Sequence, residues 1–181
     1  VREALGRSCL IFPQIDVPYN VHRSTLYSPE ELYAGYDPAH PETQSTCYDG
    51  RVYSHYLEQG KTTRNLRITL ARSLHDHSIS DALHDFLGSY DERRLVGIMG
   101  GHGQLRTDAA YRKVARISKQ LTEAGYLMIS GGGPGAMEAT HLGAWFADRT
   151  DEELDEAIEL LRVASSFRDE GWLATAFEVR Q

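Results

Sequence analysis

The residues of this chain best suited to chemistry are glycines, and they lie in two loops. One is Gly100-Gly101-His102-Gly103 and the other is Gly131-Gly132-Gly133-Pro134-Gly135. Each follows a short apolar run, and each precedes a helical pattern. A phosphate must come close to backbone N–H groups, which a Cβ would obstruct. The first turn of a helix adds unpaired donors and the positive end of its dipole. Loops of this kind on successive strands make a cradle for an anion. The competing reading is that the glycines serve only tight turns and close packing of helix on sheet.

The spacing excludes two familiar phosphate binders. A Walker loop needs GxxxxGK[ST], and no lysine follows either loop. A dinucleotide fingerprint needs a third glycine where Arg106 stands. It also needs an acidic residue at the end of the second strand, where the chain has Ser130 and Gly131. ATPase and NAD or FAD chemistry are disfavoured, and a mononucleotide fits better.

Other candidates carry less. His75 and His77 are two residues apart, which places them on opposite sides of a helix, and His84 lies seven further on. With no HExxH pattern they read as solvent-facing or locally bonded side chains rather than metal ligands. The acidic residues 151, 152, 153, 155, 156 and 159 read as a solvated helix face. No metal site and no cofactor are expected. Cys9 and Cys47 lack CxxC spacing and read as reduced thiols of a cytoplasmic protein.

The elements that must position the loops follow from periodicity. Leu95, Val96, Ile98 and Met99 form a strand of the kind buried on both faces of a parallel sheet. A helix capped by Thr107 or Asp108 turns Ala110, Val114, Ile117 and Leu121 to one side and ends at Gly125. Tyr126–Ile129 is the second strand, and a right-handed βαβ crossover is the default connection. The next helix begins near Ala136 and directs Met137, Ala139, Thr140 and Gly143 toward the sheet. Thr150-Asp151-Glu152-Glu153 is a capping box, with Leu154, Ile158 and Leu161 on the helix face behind it. A last helical segment carries Trp172, Leu173, Ala176 and Phe177.

Ahead of this, Leu10-Ile11-Phe12 ends at Pro13 as a short edge strand. Residues 13–65 are rich in proline and tyrosine without a sustained period, and read as an ordered extension. Within them Ser28-Pro29 starts a short helix. Leu66, Leu70, Ala71 and Leu74 mark one amphipathic helix. Ser80 begins a second, with Leu83, Phe86 and Leu87 apolar and Gly88 as its stop. Both are expected to cover a flank of the sheet. The fold class is α/β: a Rossmann-like parallel sheet, incomplete in this chain, with a helical and irregular N-terminal extension. The division expected is 1–94 for the extension and 95–181 for the first half of a nucleotide-binding domain.

VGIMGGHG, a helix, and then GYLMISGGGPGAMEATHLGAW resemble the LOG family, historically mislabelled lysine decarboxylases. The resemblance covers about residues 95–147, and Gly131–Ala139 is its specific part. It implies a Rossmann-like fold and a phosphoribohydrolase that cleaves the N-glycosidic bond of nucleoside 5′-monophosphates. Similar proteins carry molybdenum cofactor without known hydrolysis, which leaves a non-catalytic carrier as the alternative. On this resemblance the nucleotide-binding set is Gly100, Gly101, Gly103, Gly131, Gly132, Gly133, Gly135, Met137 and Glu138. The family's usual serine after the first glycine is replaced by Gly101. Glu138 is either a polar contact to the ligand or a favourable charge at a helix N-terminus. The family's catalytic PGGxGTxxE motif does not occur here, so no catalytic residue is assigned, and that motif is expected beyond Gln181 in a longer protein. The resemblance also implies a homodimer.

Composition narrows the partners. A net charge of −7, with 19 basic and 26 acidic residues, argues against broad nucleic-acid binding. It counts against a DprA-type single-strand DNA binder, whose sheet has a similar glycine loop. Apolar residues make up 41% and none of their runs approaches the roughly 20 residues that span a bilayer, so no membrane partner is expected. The expected partner is a nucleoside monophosphate.

Overall fold

The computed structural model describes residues 15–180. The segment Leu10–Phe12 and Cys9 lie outside the described residues. The chain divides into two compact units. One comprises Val1–Gly35 with Glu42–Asp85, and the other Tyr36–Pro41 with Phe86–Gln181. The division therefore falls inside a helix, nine residues before the first strand's expected domain boundary at 94.

In the first unit, α1 spans Pro29–Leu32. The helix start read at Ser28 is present, and it carries a capping box: Ser28 Oγ accepts the Glu31 N–H at 3.2 Å, and the Glu31 carboxylate accepts the Ser28 N–H at 2.9 Å. Arg23 pairs with the same carboxylate at 2.7 Å. These bonds hold the Glu31 pKa below the ordinary range, the bond from Ser28 contributing most. α2 spans Tyr48–Gln59, with Cys47, a buried free thiol, at its N-cap.

α3 is one continuous helix of 22 residues, Leu66–Leu87, where the sequence suggests two. Ser80 does not cap a new helix. Its hydroxyl donates to Asp76 O at 2.8 Å, the back-bond a serine makes in a helix interior. Gly88 follows α3 without a left-handed φ. The buried face also differs from the expected one. α3 buries Ile68, Ala71 and Ala82, whereas Leu66 is 79% exposed. Ile68 and two alanines, rather than the leucines, mark the contact side.

The second unit contains the parallel pair. β1 spans Leu95–Ile98 and β2 spans Leu127–Ser130, in register from Leu95↔Leu127 to Ile98↔Ser130. Among the described residues these two strands form the whole sheet. The observed class is accordingly mixed helix with a small parallel sheet. With neighbours on one side only, β1 is half-buried rather than enclosed, and Met99 just beyond it is 75% exposed. α4, Ala109–Glu123, connects the strands, and Gly125 (φ +82°) closes it in the left-handed conformation.

α5 spans Ala136–Trp145, α6 Asp151–Leu161 and α7 Trp172–Val179. Thr150 caps α6 with the expected box: its Oγ1 accepts the Glu153 N–H at 3.2 Å and Glu153 accepts the Thr150 N–H at 2.7 Å. Leu154, Ile158 and Leu161 are buried as expected. They join Tyr111, Ala115, Ala139, Leu142 and Phe146 in a core built between α4, α5 and α6.

That core changes two expected faces. α4 buries Tyr111, Ala115, Ser118 and Lys119, while Ala110 is exposed and Ile117 is 51% exposed. Gly143 is pressed not on the sheet but on α4, where a Cβ would fall 1.9 Å from Ala115 O. Ser118 Oγ donates to Thr140 O across the same seam at 2.5 Å. The acidic run on α6 is likewise more than a solvated face. Asp155 pairs with Arg112 at 2.8 Å and Arg116 at 2.6 Å, Glu159 pairs with Arg112 and Arg162, and Asp151 meets Lys119 at 3.4 Å.

Candidate functional site

Parallel register brings the two glycine loops side by side, because Ile98 and Ser130 are paired and each loop begins just beyond. Gly100, Gly101, Gly132 and Gly135 have φ of +85°, +69°, +71° and +74°, where other residues are strained. The loops touch. A Cβ on Gly135 would lie 1.9 Å from Gly101 O, and one on Gly101 would lie 2.5 Å from the Ala136 Cβ. The glycines at this junction are required by packing of loop on loop.

Gly131 and Gly133 have a different neighbour, the Met137 side chain. Cβ atoms there would meet its Sδ at 3.3 Å and its Cε at 2.4 Å respectively. Met137 thus supports the second loop from the first turn of α5. Gly100, Gly103 and Gly132 face open space, with nothing within 4 Å of a Cβ. Gly103 has neither positive φ nor a close neighbour. The nine expected binding residues therefore separate into an open face and a packed base.

The N-cap of α5 is Gly135, which offers no side chain to the first-turn N–H groups. Ser130 and His141 border them. Ser130 Oγ accepts the Gly132 N–H at 3.1 Å and lies 2.7 Å from His141 Nε2. His141 is four residues after Met137, one turn along the same side of α5, and that spacing is the signal that could have found it. Although the residue as a whole is exposed, crowding of its ring by neighbouring protein lowers the imidazole pKa.

Glu138 has a partner that neither of its two expected roles includes. Arg106 Nε and Nη2 donate to its Oε1 at 2.9 and 2.5 Å. Arg106 is only 1% exposed and reaches far beyond Glu138. Nη1 donates to Leu161 O, Ala164 O and Thr175 Oγ1, Nη2 donates to Trp172 O, and the guanidinium lies 4.8 Å from the Trp172 ring. Its backbone N–H donates to Ser165 O. Arg106 joins the first loop to α5, to the α6–α7 connection and to α7. Beside it, Tyr111 Oη and Glu138 Oε2 are buried without a hydrogen-bond partner among the described residues. Desolvation, reinforced by the Glu138 charge, raises the Tyr111 pKa well above the ordinary phenol range. His102, in the first loop, packs its ring 5.2 Å from Phe167.

The histidines weighed as metal ligands lie elsewhere. His75 Nε2 is 3.0 Å from Tyr27 Oη, and His77 is 3.4 Å from Asp81. Among the described residues no group of three or more His, Cys, Asp or Glu side chains is placed to hold a metal ion, and no helix is long and apolar enough to cross a membrane.

Chemically, the loops offer N–H donors, positive φ turns and the unblocked head of α5, an arrangement suited to an oxyanion. Comparison with protein-family models, with curated proteins and with solved structures finds no match.

Proposed function

We propose that residues 95–147 form the phosphate cradle of a Rossmann-like, LOG-like protein that acts on a nucleoside 5′-monophosphate. The observation that carries this reading is the abutment of the two glycine loops at the carboxyl ends of paired parallel strands, with Gly100, Gly103 and Gly132 left open above the head of α5. Ligands of open α/β sheets bind at that end. In this reading the cradle grips the 5′-phosphate and so positions the ribose. Cleavage of the glycosidic bond requires a carboxylate to stabilise an oxocarbenium-like state or to activate water. Glu138 is not that group, because Arg106 holds it in a buried pair.

The test incubates the protein, as its gene encodes it, with AMP, GMP, CMP and UMP. Released base together with ribose 5-phosphate supports the reading. Binding of a monophosphate without release supports a non-catalytic carrier. Neither binding nor release across the panel removes both.

A further inference from the structure

Ser130 ends β2, and His141 stands in the second turn of α5. Eleven residues separate them, but the Gly131–Gly135 loop lays α5 back on β2 and leaves Ser130 Oγ 2.7 Å from His141 Nε2. That distance lies inside the reach of roughly 2.6–3.2 Å that joins a nucleophile to its general base. Neither side chain is sealed from solvent: His141 is exposed and Ser130 is half-buried. The pair differs in this from Arg106 and Glu138, which are locked in a buried contact.

Three features suit the pair to reaction. Crowding by neighbouring protein holds the imidazole pKa below its ordinary 6.5, so at neutral pH the ring is uncharged and a base. An uncharged ring with its proton on Nδ1 accepts the Ser130 hydroxyl proton at Nε2. The Gly132 N–H donates to Ser130 Oγ at 3.1 Å, and a bond of this kind strengthens as the oxygen gains negative charge. Third, the pair lies at the carboxyl end of a parallel strand, where α/β sheets place their ligands.

The surroundings favour acyl over phosphoryl transfer. A phosphoryl group in transfer needs cations about its oxygens. Among the described residues no arginine or lysine is bonded to Ser130 or His141, and Arg106 of the first loop is tied to Glu138. A carbonyl oxygen needs only N–H donors. The loop that follows Ser130 leads to the first-turn N–H groups of α5, which take no side-chain acceptor from Gly135.

We propose that Ser130 is a nucleophile and His141 its general base, in a site that hydrolyses small carboxylic esters. Ser130 Oγ bonds to the carbonyl carbon while its proton passes to His141 Nε2. The bond from that carbon to the alcohol oxygen breaks, and the imidazolium returns the proton to the departing alcohol. A water then gives one proton to His141 and attacks the acyl group on Ser130. The acid leaves, and Ser130 Oγ takes the proton back from the ring. Ester and water become acid and alcohol. The proposal does not rest on phosphate binding by the loops.

The test incubates the protein, as its gene encodes it, with p-nitrophenyl acetate. Absorbance follows p-nitrophenol, and peptide mass spectrometry after an acid quench locates acetyl groups. The chain has eight histidines, and exposed imidazoles cleave this ester slowly, so the position of the acetyl group decides. Acetyl-Ser130 accumulates in an initial burst. Ser130→Ala and His141→Asn each lower the rate by about a hundredfold or more, and His141→Asn also loses the acetyl-Ser130 adduct. If either variant fails to fold, the adduct on the parent protein still decides. The proposal is overturned if the parent carries no acetyl group on Ser130, if Ser130→Ala hydrolyses the ester as fast as the parent, or if His141→Asn acetylates Ser130 at the parent rate.

Discussion

Replacing Gly135 with alanine strikes the contact between the two glycine loops, and Gly103→Ala is its matched control. Gly135 sits at φ +74°, ψ −126°, a region that L side chains occupy at a cost of about 1–3 kcal/mol. Its new Cβ would also stand 1.9 Å from Gly101 O, so one loop must move. Forced overpacking adds about 1–3 kcal/mol. The expected total is about 2–6 kcal/mol, which lowers the Tm by about 8 °C or more in a unit of about 100 residues. Gly103 meets neither obstacle, since its φ is not positive and its Cβ would enter open space. Gly103→Ala therefore changes stability by less than about 0.5 kcal/mol, or raises it slightly by restricting the unfolded chain. Thermal melts and urea titrations followed by circular dichroism measure both variants. Equal Tm values for the two would show that the loops do not meet as described. Binding of AMP separates the roles further: in the proposed cradle, Gly103→Ala loses affinity while keeping its fold.

The buried pair beneath the loops gives a second contrast. Arg106→Met leaves the Glu138 carboxylate buried without its partner and removes bonds to four other groups, at an expected cost of about 3–5 kcal/mol in urea denaturation. Glu138→Gln keeps an acceptor for Arg106 and costs less than half as much; equal costs would show that the Arg106 bonds to α6 and α7 contribute little. A third prediction concerns pH. His141 is held below its ordinary pKa of 6.5 by desolvation, so the unfolded chain takes up its proton first as pH falls. Its contribution to stability is constant above about pH 6.5 and is lost as pH drops from there through the folded-state pKa. An NMR titration of the His141 ring checks this, and a midpoint at or above 6.5 would refute it.

What could be read from the sequence is what short-range geometry determines. The N-cap at Ser28 and the capping box at Thr150 need only a side-chain oxygen and residues within three positions of it, and both formed. Gly125, both strands and both loops were legible for the same reason. Ser80 misled because one hydroxyl has two local options, capping a helix or bonding back inside one. The helix faces misled because apolar size does not by itself mark burial. Where two helices come very close, small residues fill the seam, and so Ala115, Ala139 and Gly143 are buried while Ile117 is exposed. Arg106 was visible as an interruption of the dinucleotide pattern, but its partners were not. They include the carbonyls of Leu161, Ala164 and Trp172, more than fifty residues away, and a carbonyl acceptor has no side-chain signature.

The close approach of Gly143 to Ala115, with Ser118 bonded to Thr140 beside it, has a mechanical meaning for the loops. Helices joined backbone to backbone cannot slide by fractions of a turn without breaking contact, as helices separated by long side chains can. α4 follows the first loop and α5 is headed by the second, so the contact between the loops is held in one register. Any closing movement over them must come from parts of the protein other than these two helices.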